Sequence, residues 1–166
     1  MILIHEATER CRGETAVTDP LQHASSLVRI HLAGEIGARL ADSADNPTLR
    51  SSYHEASHVS VGRLYGRRAT RVEVYPGGLG GITHFDDGPP TECALQDDMR
   101  KVLNILKIFD QAPELNLEKL CLETEALVRK DWANIERIAR CLHNRTIGGE
   151  IGVVTGGEIE MLCNRS

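Results

Sequence analysis

His54-Glu55-Ala56-Ser57-His58 is the run in this chain whose residue types and spacing best suit bond-breaking chemistry. On a helix, residues four apart stand one above the other, so His54 and His58 can offer ring nitrogens to a single ion. Glu55 lies about 100° further round and cannot point the same way as both histidines. Its carboxylate can still reach a water held at the ion, which is where a general base has to be. Zinc suits the set, because two neutral imidazoles and a carboxylate leave a fourth tetrahedral position open. The ion lowers the pKa of that water toward ~7 and polarises a peptide carbonyl. With 7 histidines in 166 residues, chance places this pattern about 0.03 times in such a chain. The plain alternative is two surface histidines and a salt-bridging glutamate on an amphipathic helix.

Periodicity predicts the elements that must hold these residues. Ser51 or Ser52 makes a good N-cap, and the motif helix is expected from there through Leu64 to a stop at Gly66. Before it, Leu27, Val28, Ile30, His31-Leu32, Ile36 and Leu40 recur at roughly helical spacing, predicting a helix over Leu21–Leu40. After it, Thr70, Val72 and Val74 alternate with Arg71, Glu73 and Tyr75, the period of a half-buried strand. Pro76-Gly77-Gly78 turns the chain, and Gly80 to Phe85 reads as a second strand, completing a hairpin. Thr91–Phe109 and Leu117–His143 each carry a helical apolar stripe, and Thr155-Gly156-Gly157-Glu158 opens a last short helix with a capping box. Residues 1–20 lack periodicity and are read as an irregular arm. The expected fold is α+β: one mostly helical domain over 21–166, with a small hairpin or sheet beside the motif helix.

Composition excludes several functions. A chain of this length buries roughly 70% of its unfolded surface, and 41% hydrophobic with 26% charged residues is too apolar for disorder. A formal charge of −5 with scattered arginines gives no footprint for nucleic acid. No stretch approaches the ~20 apolar residues of a membrane span, and the start lacks the basic region of a signal peptide. Five cysteines, with no C-x-x-C pair, point to buried thiols in a reducing, cytoplasmic setting. No P-loop pattern occurs.

The run from His54 to Gly66, followed by Val72-Glu73-Val74-Tyr75-Pro76-Gly77-Gly78-Leu79-Gly80-Gly81-Ile82-Thr83, resembles the peptidase domain of FtsH-type zinc proteases. Trp132 to Leu142 and Gly156 to Leu162 look like that family's closing helices. The resemblance spans roughly residues 51–163, strongly at the motif and weakly elsewhere. It implies a zincin-like fold, a Zn2+ cofactor held by His54, His58 and an Asp opening a later helix, and Glu55 as the catalytic base. Gln96-Asp97-Asp98-Met99 best fits the pattern of that later helix and places the third ligand on Asp98. A carboxylate in a first helical turn is also oriented by free N–H groups there. Asp97 and Asp98 could instead simply complement the helix dipole, and Asp131, before Trp132-Ala133-Asn134, imitates the ligand helix too. Ser57 stands where the family usually has Gly. The family's small-residue helix between hairpin and Asp helix is missing; a faint match, Leu32–Leu40, lies before the motif and is read here as accidental. The chain shows neither the ATPase module nor the membrane spans of full-length members, so ATP-driven unfolding is not implied. Self-association and a separate ATPase partner stay open.

Four further features have plain readings. His84 could bind zinc or steady an oxyanion, but reads first as a hairpin surface residue. Gly77, Gly78, Gly80 and Gly81 either shape a groove beside an edge strand or serve the turn. Trp132 reads as core. Cys93, five residues before Asp98, is a weak candidate ligand. The expected function is a zinc-dependent endopeptidase acting on extended or unfolded polypeptide; the alternatives are a non-catalytic binding or regulatory protein on the same scaffold, and a hydrolase of another substrate.

Overall fold

A computed structural model of the chain describes residues 19–86, 91–93, 97–109, 112 and 115–164, with only the backbone at 91–93 and 97. Helices α1 (Pro20–Leu40) and α2 (Pro47–Leu64) open alike. The side chains of Asp19 and Asn46 accept hydrogen bonds from Leu21 N and Leu49 N, each at 3.0 Å. Each cap is followed by a proline at N1, where a missing N–H costs nothing. The motif helix therefore begins ahead of the expected Ser51 or Ser52, because Asn46-Pro47 is the stronger start signal. Pro20 belongs to α1 and not to an arm; the rest of the expected arm, 1–18, lies outside the described residues.

Strands β1 (Ala69–Val74), β2 (Gly81–Phe85), β3 (Thr91–Cys93) and β4 (Gly152–Thr155) form one antiparallel sheet in the order β3-β2-β1-β4. The expected hairpin is β1–β2, with Val72 opposite Thr83 and Val74 opposite Gly81. Its turn is a short 3-10 stretch over Pro76–Gly78 in which Gly77 has φ 72°, a conformation that favours glycine.

Two expected helices are corrected. Thr91–Phe109 is β3 followed by α3 (Asp97–Ile108): Thr91 pairs with Thr83, and the exposed edge of β2 recruits a segment whose stripe alone reads as helix. Leu117–His143 is two helices, α4 (Leu117–Lys130) and α5 (Trp132–Thr146), broken at Asp131. The last helix, α6 (Gly156–Cys163), opens with the expected capping box on Thr155 and Glu158.

The inner face of the sheet, with Val72, Val74, Phe85 and Val154 buried, covers one side of α2; α1 and α5 pack against it elsewhere. As a result every residue from Ser51 to Gly62 is buried. No described helix is long and apolar enough to cross a membrane.

Candidate metal centre

A helix enclosed on all sides is ordinarily apolar all round. α2 is not: Ser51, Ser52, His54, Glu55, Ser57, His58 and Ser60 are all buried. Buried polar groups need partners. The hydroxyls of Ser51, Ser52 and Ser57 donate to the carbonyl four residues back, at 3.1, 2.9 and 2.8 Å, a local solution open to serine. Ser60 donates to Asp131 Oδ2 at 2.6 Å. The three motif residues find their partners on other elements.

His58 Nδ1 donates to the Ile30 carbonyl of α1 at 2.7 Å, and Glu55 Oε2 accepts from Thr83 Oγ1 of β2 at 2.7 Å. The Nε2 atoms of His54 and His58 lie 2.8 and 3.1 Å from one oxygen, Asp98 Oδ2. The second oxygen, Oδ1, accepts from His31 Nδ1 at 2.8 Å. Asp98 is the second residue of α3, so its carboxylate sits at the positive end of the helix dipole. Exposure of His54, Glu55, His58 and Asp98 is 2, 1, 0 and 3%; charges this deep must be neutralised within the cluster.

The structure thus gathers His54, His58 and Asp98, with Glu55 alongside: ligating atoms of His54, Glu55 and His58 fall within 4.8 Å of one another. Asp131 is elsewhere, its two oxygens taken by Ser60 and Asn134, each at 2.6 Å. Asp97 opens α3, but its side chain, like that of Cys93, lies outside the described residues. His84 alternates with the buried Thr83 along β2 and sits half-buried, its Nε2 3.8 Å from Glu73 Oε1. Gly77 and Gly78 serve the turn, both with positive φ, whereas Gly81 faces the centre: a Cβ there would stand 2.6 Å from Glu55 Cγ. Trp132, half-buried, stacks on Tyr53 with ring centroids 5.3 Å apart. Ser57 is accommodated by a glycine on the facing helix, since a Cβ on Gly37 would come within 1.8 Å of its hydroxyl.

The protonation pattern shows what this cluster needs. A carbonyl oxygen only accepts, so His58 Nδ1 carries a hydrogen. In the neutral ring Nε2 is then a lone-pair nitrogen facing Asp98 Oδ2 at 3.1 Å, and two electron-rich atoms at that distance need a cation between them. A proton meets the need as imidazolium. A divalent ion meets it while also engaging His54. Burial pushes His54 down to about 4, so its ring is a neutral donor near neutral pH. Burial pushes Asp98 up, but the charge on His58 and hydrogen bonds from His31, His54 and His58 outweigh it and hold the carboxyl well below its usual range. Glu55 goes the other way, raised by burial to about 7.

The residues fit a zinc ion. Tetrahedral donors at ~2.0–2.1 Å stand roughly 3.3 Å from one another, so the 2.8 and 3.1 Å separations need only a slight expansion. Room is also reserved, because a Cβ on Gly34 of α1 would lie 2.6 Å from the Nε2 atoms of both histidines. Nδ1 of His54 is buried with no hydrogen-bond partner among the described residues, so ligation through Nε2 would leave its N–H without an acceptor there, the one feature of the set that does not suit the ion. Beside Asp98 lies a cavity of about 380 Å³, lined by His31, Leu32, Glu35, Arg50, Met99 and Val102 as well; His54, Glu55 and His58 do not line it.

Sequence reasoning missed His31, Thr83 and the Ile30 carbonyl as partners. For His31 a signal existed: an imidazole inside an otherwise apolar run, one turn before Gly34. No protein-family model matches the chain, and comparison with curated proteins and with solved structures finds no significant match.

Proposed function

We propose that this chain is a zinc-dependent peptidase domain acting on extended or unfolded polypeptide, with His54, His58 and Asp98 as metal ligands and Glu55 as general base. The observation that carries this reading is the convergence of His54 Nε2 and His58 Nε2 on one oxygen of Asp98, at 2.8 and 3.1 Å, with Glu55 alongside on the same helix. The packing of Leu32–Leu40 on the motif helix supports the FtsH-type likeness, since the small-residue helix absent after the hairpin has a counterpart in α1. Its occurrence before the motif is then a difference of chain order.

Zinc bound here would lower the pKa of a water and polarise the substrate carbonyl. The chain's own part is proton transfer and orientation. Glu55 is held through Oε2 by Thr83, so its other oxygen is the atom that takes a proton from the attacking water and passes it to the leaving amine. Burial raises this carboxyl in the metal-free cluster and so favours its taking up a proton, while a cation bound beside it would favour the ionised form that acts as base. Asp98 contributes a negative charge that needs no further proton, and the Ile30 carbonyl keeps His58 in the tautomer whose Nε2 can ligate. An extended substrate suits a sheet in which β3 is an edge strand next to the strand carrying Thr83.

A second reading, a non-catalytic member of the same scaffold that binds or regulates, is favoured by one observation: Glu55 is only 1% exposed. Cleavage of casein by zinc-loaded wild type and by equally loaded Glu55→Gln separates the two. The peptidase reading expects loss of at least ~100-fold in the variant. Equal cleavage by both overturns the mechanism, and no cleavage by either, with zinc bound to both, favours the second reading.

A further inference from the structure

The metal-ligand reading accounts for one oxygen of Asp98 and leaves the other to His31, a residue that nothing in the motif requires. An ionised carboxylate only accepts, so His31 Nδ1 carries the hydrogen in its 2.8 Å bond to Oδ1. His31 is 9% exposed, and its ring meets that of His58 edge-on, with centroids 6.4 Å apart. Its neighbour Ile30 supplies the carbonyl that fixes His58, and Gly34, one turn on, leaves space at both Nε2 atoms. Successive groups on one face of α1 therefore touch three members of the cluster.

We infer that His31 is a positioning residue of the metal centre: it holds Asp98 by Oδ1 so that Oδ2 alone is presented beside the Nε2 atoms of His54 and His58. This rests on the metal-ligand reading above. A freely rotating carboxylate could turn either oxygen toward an ion, whereas the bond from His31 to Oδ1 keeps Oδ2 on the side of the two histidines. Outer partners of this kind orient the ligand and raise metal affinity, and their loss commonly weakens binding roughly 10- to 100-fold.

The experiment is zinc affinity by chelator competition, with the visible absorption of the Co2+-substituted protein, on wild type, His31→Ala and His31→Asn. Asparagine places an amide N–H close to where imidazole Nδ1 stands, so it keeps the donor and removes the ring. The inference expects roughly 10- to 100-fold weaker zinc binding and an altered, weaker Co2+ spectrum in His31→Ala, with both largely restored in His31→Asn. Wild-type affinity and spectrum in a folded His31→Ala would overturn the positioning role while leaving the metal centre standing. Equal loss in both variants would overturn it too, assigning the effect to ring packing. Wild type that binds neither ion would overturn the metal centre and this inference together.

Discussion

Replacing Glu55 by Gln in metal-free protein tests the electrostatics of the buried cluster without relying on turnover. Glu55 rises from 4.5 to about 7 because burial disfavours its charge. A group raised on folding stabilises fully below its unfolded pKa, and that contribution is lost as pH climbs through the folded value. Glu55 therefore weakens the fold between about pH 4.5 and 7, by roughly 3 kcal/mol at its limit. His54 has the opposite sign, since its fall from 6.5 to about 4 gives stability present above 6.5 that is lost on acidification toward 4. The two oppose one another over the same window in wild type; His31, also lowered by burial, acts in the same direction as His54, and both stay in Glu55→Gln. Gln can still accept from Thr83, while its buried NH2 adds a penalty that does not vary with pH. The slope therefore carries the test. Urea unfolding at pH 4.5, 6 and 8 with chelator should show Glu55→Gln gaining on wild type as pH rises, by up to about 3 kcal/mol. A stability difference that is flat across this range refutes the burial argument for Glu55.

Other perturbations probe the packing around the centre. Gly37→Ala would push a Cβ to 1.8 Å from the Ser57 hydroxyl, so it should cost about 1–3 kcal/mol in chemical unfolding; adding Ser57→Gly should recover much of that, a coupling readable in a double-mutant cycle. Gly34→Ala, with its Cβ 2.6 Å from both Nε2 atoms, should lower zinc affinity at least tenfold by competition assay, although alanine is the better helix former by about 1 kcal/mol. Asp131→Ala removes acceptors from Ser60 and Asn134 and should cost about 1–3 kcal/mol of stability while zinc stoichiometry stays unchanged by elemental analysis, because Asp131 lies outside the centre.

The motif helix was legible because its structure and the metal-binding role proposed for it both depend on a four-residue spacing. Asp98 was reachable only through the family resemblance, with Asp97 and Asp131 open, since which carboxylate arrives depends on how α3 approaches α2 and not on local pattern. His31 offered one signal, an imidazole among Ile30, Leu32 and Ala33, but not its role, because the partner it bonds is 67 positions away. β4 escaped notice because Gly152-Val153-Val154-Thr155 is too short to show alternation and exists by pairing with β1. The break at Asp131 was masked because the stripe of α4 continues nearly in phase into α5, and the bond from Ser60 of α2 to Asp131 is a tertiary contact that local pattern does not show.

The most direct test of the account is the zinc stoichiometry of protein purified without chelator or metal-affinity steps, measured by elemental analysis beside His54→Ala, His58→Ala and Asp98→Ala variants shown to be folded by circular dichroism. A metal centre on these ligands gives one zinc per wild-type chain and little or none in each variant. A wild-type chain that takes up no zinc, even when titrated with it near neutral pH, or variants that hold it as well as wild type, would contradict the claim that this buried cluster is a metal centre.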